Sequence, residues 1–221
     1  MPNAPAPVSV PDGDPIAMLR QLGAATVYEA QGAQGALDHG IKPIDPSCRL
    51  AGPAYTVDCR PADNLMLHYA VQKAQRGDVL VVDAKGFMEA GPWGDVLTLQ
   101  AMQRGIAGLL INGCVRDANL IIALGFPVFC RGLSIKGTGK NQPGRVAVPV
   151  AIGDVLIHPG DIIVGDRDGV AVVPQGSVAS TIAASLARED KEAQQREAIA
   201  QGQSTVELLG LGDTLRRFGL V

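Results

Sequence analysis

The middle third of the chain alternates between two hydrophobic patterns. Segments with apolar residues at helical spacing are followed by short, continuous apolar runs, and glycine or proline separates many of them. The predicted helices are 62–76, 94–105 and 117–124, and the predicted strands are 79–83, 107–112 and 126–130. This alternation predicts a parallel or mixed sheet with helices packed against it.

The segments on either side predict further elements. Residues 15–31 have apolar positions at helical spacing and predict one helix, while the alternation in 54–59 predicts a strand. Gly, Pro and Asp separate short β runs, which predict hairpins at 145–150, 155–157, 162–164 and 170–173. A long charged helix is predicted from Pro174 to Ala200, then a last helical piece over 204–217. The fold class is therefore α/β, a layered sandwich with a long C-terminal helix.

The two ends of the chain do not predict targeting signals. Residues 1–14 are rich in proline and predict a flexible arm, which leaves 15–221 as a single domain. The arm lacks a basic segment followed by an apolar one, so we do not interpret it as a signal peptide. No apolar run approaches the ~18 residues that cross a membrane. We expect a cytoplasmic protein that does not bind membranes.

The composition is that of an ordinary globular protein. Hydrophobic residues make up 47% and charged residues 19%, and the formal net charge is −3 with no basic block. Because phosphate neutralisation needs clustered Lys and Arg, nucleic acid is disfavoured as a partner. The four cysteines, Cys48, Cys59, Cys114 and Cys130, show no C-x-x-C spacing. Cys59, Cys114 and Cys130 lie in or beside apolar runs and predict buried free thiols.

The stretch from Ala90 to Asp117 carries the most informative polar residues. It opens with a glycine-containing turn whose last residues, Gly94–Leu97, begin a helix; free N–H groups at a helix start bind carboxylates and phosphates. It ends with Arg116 and Asp117 directly after a buried strand, where α/β folds place their sites. The guanidinium suits a substrate carboxylate, and the carboxylate suits Mg²⁺ or Mn²⁺. The alternative is that Asp117 only caps the following helix.

Other polar residues predict structure more than chemistry. Asp161, Asp166 and Asp168 resemble a metal cluster, but Gly-Asp and Asp-Gly at strand ends favour hairpin turns. The histidines show no H-x-x-x-H pair, which disfavours zinc, and His68 is interpreted as a packed side chain. The sequence also disfavours a serine hydrolase, an ATP-binding P-loop and Schiff-base chemistry, because their motifs are missing.

Several motifs give the chain a resemblance to a known family. They are G-D-V-L at 94–97, G-I-A-G-L-L-I-N-G-C-V-R-D at 105–117, L-G-F-P-V-F at 124–129 and D-N-L-M-L-H at 63–68. With the D-x20-R-D spacing from Asp95 to Asp117, the chain resembles the RraA-like family, and within it the 4-hydroxy-4-methyl-2-oxoglutarate / 4-carboxy-4-hydroxy-2-oxoadipate aldolases. The resemblance implies an αββα sandwich similar to swivelling phosphohistidine-like domains. It also implies homotrimers or hexamers, built as dimers of trimers, with active sites between subunits.

The resemblance further implies a class II aldolase mechanism. Asp117 would hold a divalent metal, Mg²⁺ or Mn²⁺, and Arg116 would bind the substrate and neutralise the pyruvate enolate. Backbone N–H groups of Gly94, Asp95, Val96 and Leu97 would hold the pyruvate carboxylate. Asp95 would also orient water at the metal. Glu192, on the C-terminal helix, would reach a neighbouring subunit and help to deprotonate the 4-hydroxyl group.

The implied reaction is release of pyruvate from 4-hydroxy-2-oxo acids. 4-Carboxy-4-hydroxy-2-oxoadipate would give pyruvate and oxaloacetate, and 4-hydroxy-4-methyl-2-oxoglutarate would give two pyruvates, in protocatechuate or gallate degradation. Oxaloacetate decarboxylation should accompany aldol cleavage, because both reactions pass through the same pyruvate enolate. Leu120 departs from family members with an acid at that position. The alternatives are a non-catalytic regulator that binds ribonuclease E, a phosphohistidine-type domain and a methyltransferase.

Overall fold

A computed structural model describes residues 13–220 of the protein. The predicted flexible arm lies outside these residues except for Gly13 and Asp14. Asp14 is the N-cap of the first helix, because its Oδ1 accepts a hydrogen bond from Ile16 N at 3.0 Å. No helix within the described range combines the length and apolar character needed to span a bilayer.

The described residues form helices and strands that follow the predicted alternation. The helices are α1 (Pro15–Leu22), α2 (Ala24–Ala30), α3 (Leu65–Lys73), α4 (Asp95–Arg104), α5 (Ala118–Leu124), α6 (Val178–Ala200), α7 (Thr205–Leu208) and α8 (Gly212–Arg217). The strands are β1 (Lys42–Pro43), β2 (Leu50–Asp58), β3 (Val79–Phe87), β4 (Gly108–Val115), β5 (Val128–Cys130), β6 (Gly132–Leu133), β7 (Arg145–Val146), β8 (Val150–Ile152), β9 (Val155–Ile157), β10 (Ile162–Gly165) and β11 (Val170–Val173).

The main sheet is mixed, as predicted. Its strand order is β1-β5-β4-β3-β2-β10-β11, and β6 and β7 extend it beside β4 and β2. Strands β2, β3, β4 and β5 run parallel, whereas β10 pairs antiparallel with both β2 and β11. The parallel strands are apolar along most of their length because helices and a second β layer cover their two faces. Their carboxyl ends meet at one edge.

Three apolar clusters hold the layers together. One lies between the parallel strands and α3, α4 and α5, with Leu67, Leu109 and Ile121 fully buried. A second lies between the same strands and the β8–β9 hairpin, and a third joins α1, α2 and α6 to β10 and β11. The order helix, sheet, sheet, helix confirms the predicted α/β layered sandwich and its long C-terminal helix.

The predicted helix over residues 15–31 is two helices, so that prediction was wrong. Gly23 separates α1 from α2 with φ of 82° and ψ of 160°, a conformation that glycine adopts easily. The first N–H of α2, from Ala24, donates to Asp166 Oδ2 at 2.8 Å. A Cβ at Gly23 would lie 2.9 Å from that oxygen. The break therefore depends on Gly23 together with a contact across the fold, and the apolar spacing of 15–31 does not show it.

Two other boundaries differ from the predicted ones. The predicted strand at 145–150 is interrupted, because Ala147 has a φ of 52° and its N–H donates to Thr56 O at 2.9 Å. The predicted final helical piece is divided into α7 and α8 at Gly210, where φ is 64°. In both places a left-handed residue ends the regular structure.

The cysteines follow their prediction closely. All four are free, and Cys59, Cys114 and Cys130 are buried, whereas Cys48 is half-buried. Burial, together with the nearby charge of Asp63, raises the pKa of the Cys59 thiol to about 12. Thiols in this state are packing groups and not nucleophiles.

Candidate active site at the start of α4

The candidate site begins at the tight turn 91–94, which leads into α4. Gly91 lies directly against the segment that follows β6. Its N–H donates to Lys136 O at 2.9 Å, and a Cβ at this position would overlap Ser134 O. Only glycine permits this close approach of two backbones, which fixes the position of the turn.

Trp93 anchors the turn in the hydrophobic core. Its ring is fully buried and stacks on Phe126, with centroids 6.2 Å apart. Its Nε1 donates to Thr98 Oγ1 at 2.7 Å, and Thr98 Oγ1 donates to Gly94 O at 3.0 Å. The carbonyl of Trp93 accepts a hydrogen bond from Arg116 N at 2.9 Å. One aromatic residue thus connects the start of α4 to the end of β4.

Asp117 follows β4 and occupies the N-cap position of α5, where its backbone carbonyl accepts from Ile121 N at 3.1 Å. Its φ is 58° and its ψ is 34°, and its side chain makes no capping hydrogen bond to α5 within the described structure. The Asp117 carboxylate therefore does not cap α5, and its role as a metal ligand stays a prediction. A left-handed non-glycine residue costs conformational energy, and such residues cluster at functional sites.

Gly94 leaves the space that the Arg116–Asp117 pair occupies. A Cβ at Gly94 would overlap Asp117 Oδ2 and lie 3.3 Å from Arg116 Cγ and Nε. The Arg116 Nε and Asp117 Oδ2 atoms are 3.4 Å apart, and both side chains remain partly exposed. The sequence predicted these residues at one site, and the structure brings them into contact at the start of α4.

A cavity of about 200 Å³ opens in front of this turn. Its walls are the first residues of α4, the Arg116 side chain, one face of α3 and the loop after β6. The lining residues are Asn64, His68, Pro92, Gly94, Asp95, Val96, Leu97, Arg116 and Lys140. Asp117 is adjacent to this wall through its contact with Gly94. The cavity thus adjoins every predicted site residue except Glu192.

The groups around the cavity suit an anionic ligand and a hard cation. The first N–H groups of α4 have no intrahelical partners, and together with the guanidinium of Arg116 they favour a carboxylate. The partly exposed Asp117 carboxylate supplies an anionic oxygen, and Asp95, the first residue of α4, lines the cavity. Among residues 13–220 no group of three or more His, Cys, Asp or Glu could hold a metal. The site fits a cation such as Mg²⁺, which takes one or two carboxylates and keeps several waters.

Comparison with known proteins identifies the family. Residues 24–172 match the family model described as "RraA-like: Aldolase/RraA". The chain belongs to the RraA-like family. A relative from Halalkalibacterium halodurans, named "Putative 4-hydroxy-4-methyl-2-oxoglutarate aldolase", is 38% identical to the RraA-like chain over 184 residues, which are 83% of this chain and 88% of the relative.

Solved structures of similar proteins share the fold of the RraA-like chain. An uncharacterized protein from Pseudomonas syringae pv. tomato is 30% identical with a TM-score of 0.80, covering 91% of this chain and 95% of that one. RraAS2 from Streptomyces coelicolor, described as an unusual member of the RNase ES inhibitor RraA family, is 31% identical with a TM-score of 0.74. The match covers 85% of this chain and 99% of RraAS2.

Glu192 lies apart from the cavity within the RraA-like chain. It is on α6, which packs against α1 and α2, and its carboxylate pairs with Arg188 Nε at 2.9 Å and Arg196 Nη1 at 3.4 Å. The sequence placed this residue in the site of a neighbouring subunit, and its contribution to catalysis stays a prediction.

The turn aspartates of the RraA-like chain have the structural roles that the sequence predicted. Asp166 Oδ1 accepts from Asp168 N at 3.0 Å in the turn between β10 and β11. Asp161 accepts from His158 N at 2.8 Å and from Gln175 N at 3.2 Å. Their oxygens therefore serve backbone turns on the far side of the sheet from α4.

Three residues of the RraA-like site were missed by sequence reasoning. Asn64, His68 and Lys140 line the cavity, although His68 had been interpreted as a packed histidine. Burial lowers the pKa of His68, and the charge of Lys140 lowers it further, so its imidazole is neutral at pH 7. The D-N-L-M-L-H segment was a usable signal, since Asn64 and His68 are four residues apart and share one helix face.

Proposed function

We propose that this protein is a class II pyruvate aldolase that requires Mg²⁺ or Mn²⁺. The observation that carries the proposal is the convergence of Arg116, Asp117 and the start of α4 on one cavity. A cleavage reaction that develops charge on an enolate oxygen needs cationic groups at that oxygen, and this cavity supplies them. The 38% identity to a relative named as an aldolase also supports it.

The N–H groups of residues 94–97 bind the pyruvate carboxylate of the substrate. The guanidinium of Arg116 donates to the 2-oxo oxygen, where negative charge grows as the carbon–carbon bond breaks. An interaction that strengthens as charge develops lowers the barrier more than it stabilises the bound substrate. Asp117 would hold the metal ion, which supplies Lewis-acid stabilisation of the same oxygen, and Asp95 orients water nearby.

Cleavage begins with loss of the 4-hydroxyl proton. In our proposal the Glu192 carboxylate of a neighbouring subunit accepts this proton, which requires a trimeric or hexameric assembly. The C3–C4 bond then breaks, its electron pair forms the C2–C3 enolate, and C4 becomes the carbonyl carbon of the second product. Protonation at C3 gives pyruvate. No oxidant or further reactant is needed.

The proposed substrates are 4-hydroxy-2-oxo acids that carry a 4-carboxylate. 4-Carboxy-4-hydroxy-2-oxoadipate gives pyruvate and oxaloacetate, and 4-hydroxy-4-methyl-2-oxoglutarate gives two pyruvates. Oxaloacetate decarboxylation is a secondary activity through the same enolate. We place the reaction at the end of protocatechuate or gallate degradation, in the cytoplasm.

The first test is pyruvate release from both hydroxy acids, with and without Mg²⁺, for the wild type and Asp117→Asn. The substitution keeps the side chain's size and removes the anionic oxygen, so we expect at least a ~100-fold loss of kcat/KM. Asp154→Asn removes an exposed carboxylate elsewhere and should have no effect. Absence of pyruvate from the metal-supplied wild type would contradict the aldolase proposal.

The second candidate is a non-catalytic regulator that binds another protein. The similarity to RraAS2, whose description names it in an RNase inhibitor family, favours this candidate. A regulator does not need the Asp117 carboxylate or the space beside Gly94. Unchanged binding of a ribonuclease by Asp117→Asn, with no pyruvate released by the wild type, would support it.

A further inference from the structure

Two polar atoms in the cavity wall have no hydrogen-bond partner within residues 13–220. They are Asn64 Oδ1 and His68 Nε2. Asn64 is 8% exposed, so more than nine-tenths of this residue is buried. Leaving a buried polar atom unpaired destabilises the fold, so natural proteins rarely contain such an atom without a partner in the functional state. The partner we infer is a ligand.

The hydrogen bonds of Asn64 show which kind of group this ligand presents. Its Nδ2 donates to Pro92 O at 2.9 Å, and its backbone N–H donates to Gly139 O at 3.0 Å. The amide is therefore oriented with its oxygen as the free atom, and an amide oxygen only accepts hydrogen bonds. The missing partner is a donor, such as a hydroxyl group.

Lys140 adds a positive charge to the same wall. The segment before it is fixed to Asn64 through Gly139 O, and the following N–H groups of Asn141 and Gln142 donate to Asp63 at 2.8 and 3.1 Å. Lys140 lines the same cavity as Asn64 and His68, and its charge acts on His68, although its side chain is exposed. An ammonium beside a neutral imidazole favours a carboxylate.

We propose that Asn64, His68 and Lys140 form the subsite for carbon 4 of the substrate. Asn64 Oδ1 accepts the hydrogen of the 4-hydroxyl group, and the 4-carboxylate accepts hydrogen bonds from Lys140 Nζ and from an N–H at His68 Nε2. An amide oxygen is too weak a base to take the proton, so Asn64 fixes the hydroxyl group and the base removes its proton.

This inference rests on the proposed aldolase function, and it predicts which of the enzyme's reactions need the subsite. Pyruvate and oxaloacetate reach the same enolate, but neither carries a 4-hydroxyl group. The C4 carboxylate of oxaloacetate has no hydrogen to donate, so it makes no hydrogen bond to Asn64 Oδ1 that a substitution could remove. Loss of Asn64 Oδ1 should therefore slow cleavage of hydroxy acids, but not decarboxylation of oxaloacetate or proton exchange at the pyruvate methyl group.

The test uses the full chain with Mg²⁺ and compares three reactions: cleavage of 4-hydroxy-4-methyl-2-oxoglutarate, decarboxylation of oxaloacetate and deuterium exchange into the pyruvate methyl group. Asn64→Ala should lower kcat/KM for cleavage about tenfold or more, with exchange and decarboxylation within about twofold of wild type. Lys140→Met should raise KM for cleavage by a similar factor. Asn141→Ala, an amide on the same loop outside the cavity, is the matched control and should match wild type.

The outcomes distinguish failure of the carbon 4 subsite from failure of the aldolase function. If Asn64→Ala loses exchange and cleavage to the same extent, Asn64 only supports the turn through Pro92, and the subsite is wrong. Unchanged cleavage in both Asn64→Ala and Lys140→Met would also overturn it. If the wild type cleaves no hydroxy acid, the aldolase function itself fails, and the subsite fails with it.

Discussion

At the residue scale, the site requires the absence of a side chain at Gly94 as much as it requires the charged side chains beside it. Gly94 has an extended backbone that any residue adopts, with φ of −150°, so its glycine is not required by conformation. It is required by space, because the Arg116–Asp117 pair occupies the volume of its Cβ. A single methyl group there would displace the two charged side chains.

We therefore expect Gly94→Ala to lower kcat/KM for pyruvate release by about 100-fold while the protein remains folded, since small misplacements at a reacting centre cost this much. Gly176→Ala is the matched control, because a Cβ at Gly176 meets open space. Steady-state kinetics and thermal unfolding of both variants are the measurements. Equal activity of the two variants would show that Asp117 does not need the space beside Gly94.

The sequence predicted Arg116 and Asp117 as neighbours of Gly94 because all three lie in motifs with a fixed order. It did not predict the free oxygen of Asn64. That property depends on Pro92 O accepting from the Asn64 amide across 28 residues of chain. Hydrogen-bond satisfaction belongs to the folded structure, so a pattern of residue types does not contain it.

At the scale of elements, Asp63 joins the start of α3 to the loop that carries Lys140. Its buried carboxylate accepts hydrogen bonds from Leu65 N at 2.9 Å and from the N–H groups of Asn141 and Gln142. Burial alone would raise its pKa, but the three backbone donors outweigh burial and lower the pKa below its usual value. The charged form of Asp63 therefore stabilises the fold.

This shift predicts a pH dependence of stability. A carboxyl whose pKa is lower in the folded state contributes stability above its unfolded pKa of about 3.9, and loses it as pH falls through the folded value. We expect the wild type to lose part of its unfolding free energy below about pH 4. Asp63→Asn should be less stable at pH 7, but its unfolding free energy should change less with pH below about pH 4. Urea unfolding at pH 7, 5, 4 and 3 measures both. Asp154→Asn should follow the wild-type curve, and identical slopes for all three proteins would contradict the role of Asp63.

Most element positions could be predicted, whereas their interruptions could not. The glycines that bound α4 and the buried runs of β3 and β4 are local signals, and the structure has these elements within a few residues. The division between α1 and α2 depends on Asp166, which lies 142 residues from its partner Ala24. A contact at that separation leaves no trace in the apolar spacing of 15–31.

At the scale of the whole molecule, several large apolar side chains on α4, on α5 and in the segment 132–135 are exposed. Val96 is 72% exposed, Leu120 56%, Leu133 61% and Ile135 95%. Single exposed apolar residues are ordinary, but several on elements that adjoin one site favour a protein interface. They fit the assembly that the proposed role of Glu192 requires.

We expect Ile135→Glu to reduce the molar mass measured by light scattering after gel filtration, and to reduce pyruvate release with it. Burying one isoleucine in an interface stabilises the assembly by about 1.5–3 kcal/mol, whereas burying an unpaired charge there destabilises it. Leu156→Glu changes a 56%-exposed leucine on β9, away from the cavity, and should leave the mass unchanged. An Ile135→Glu protein with wild-type mass would show that this surface is not an interface.

The left-handed backbone of Asp117 has an evolutionary consequence. Glycine at this position would relieve about 1 kcal/mol of strain, so Asp117→Gly should melt at a higher temperature than the wild type while losing the proposed metal ligand. Selection for chemistry would then be needed continuously to retain the aspartate. A descendant released from that selection would gain stability when glycine replaces the aspartate, because the gain comes from the backbone and not from loss of the carboxylate. The left-handed residue at the end of β4 thus makes this position prone to drift toward glycine whenever its carboxylate is not needed.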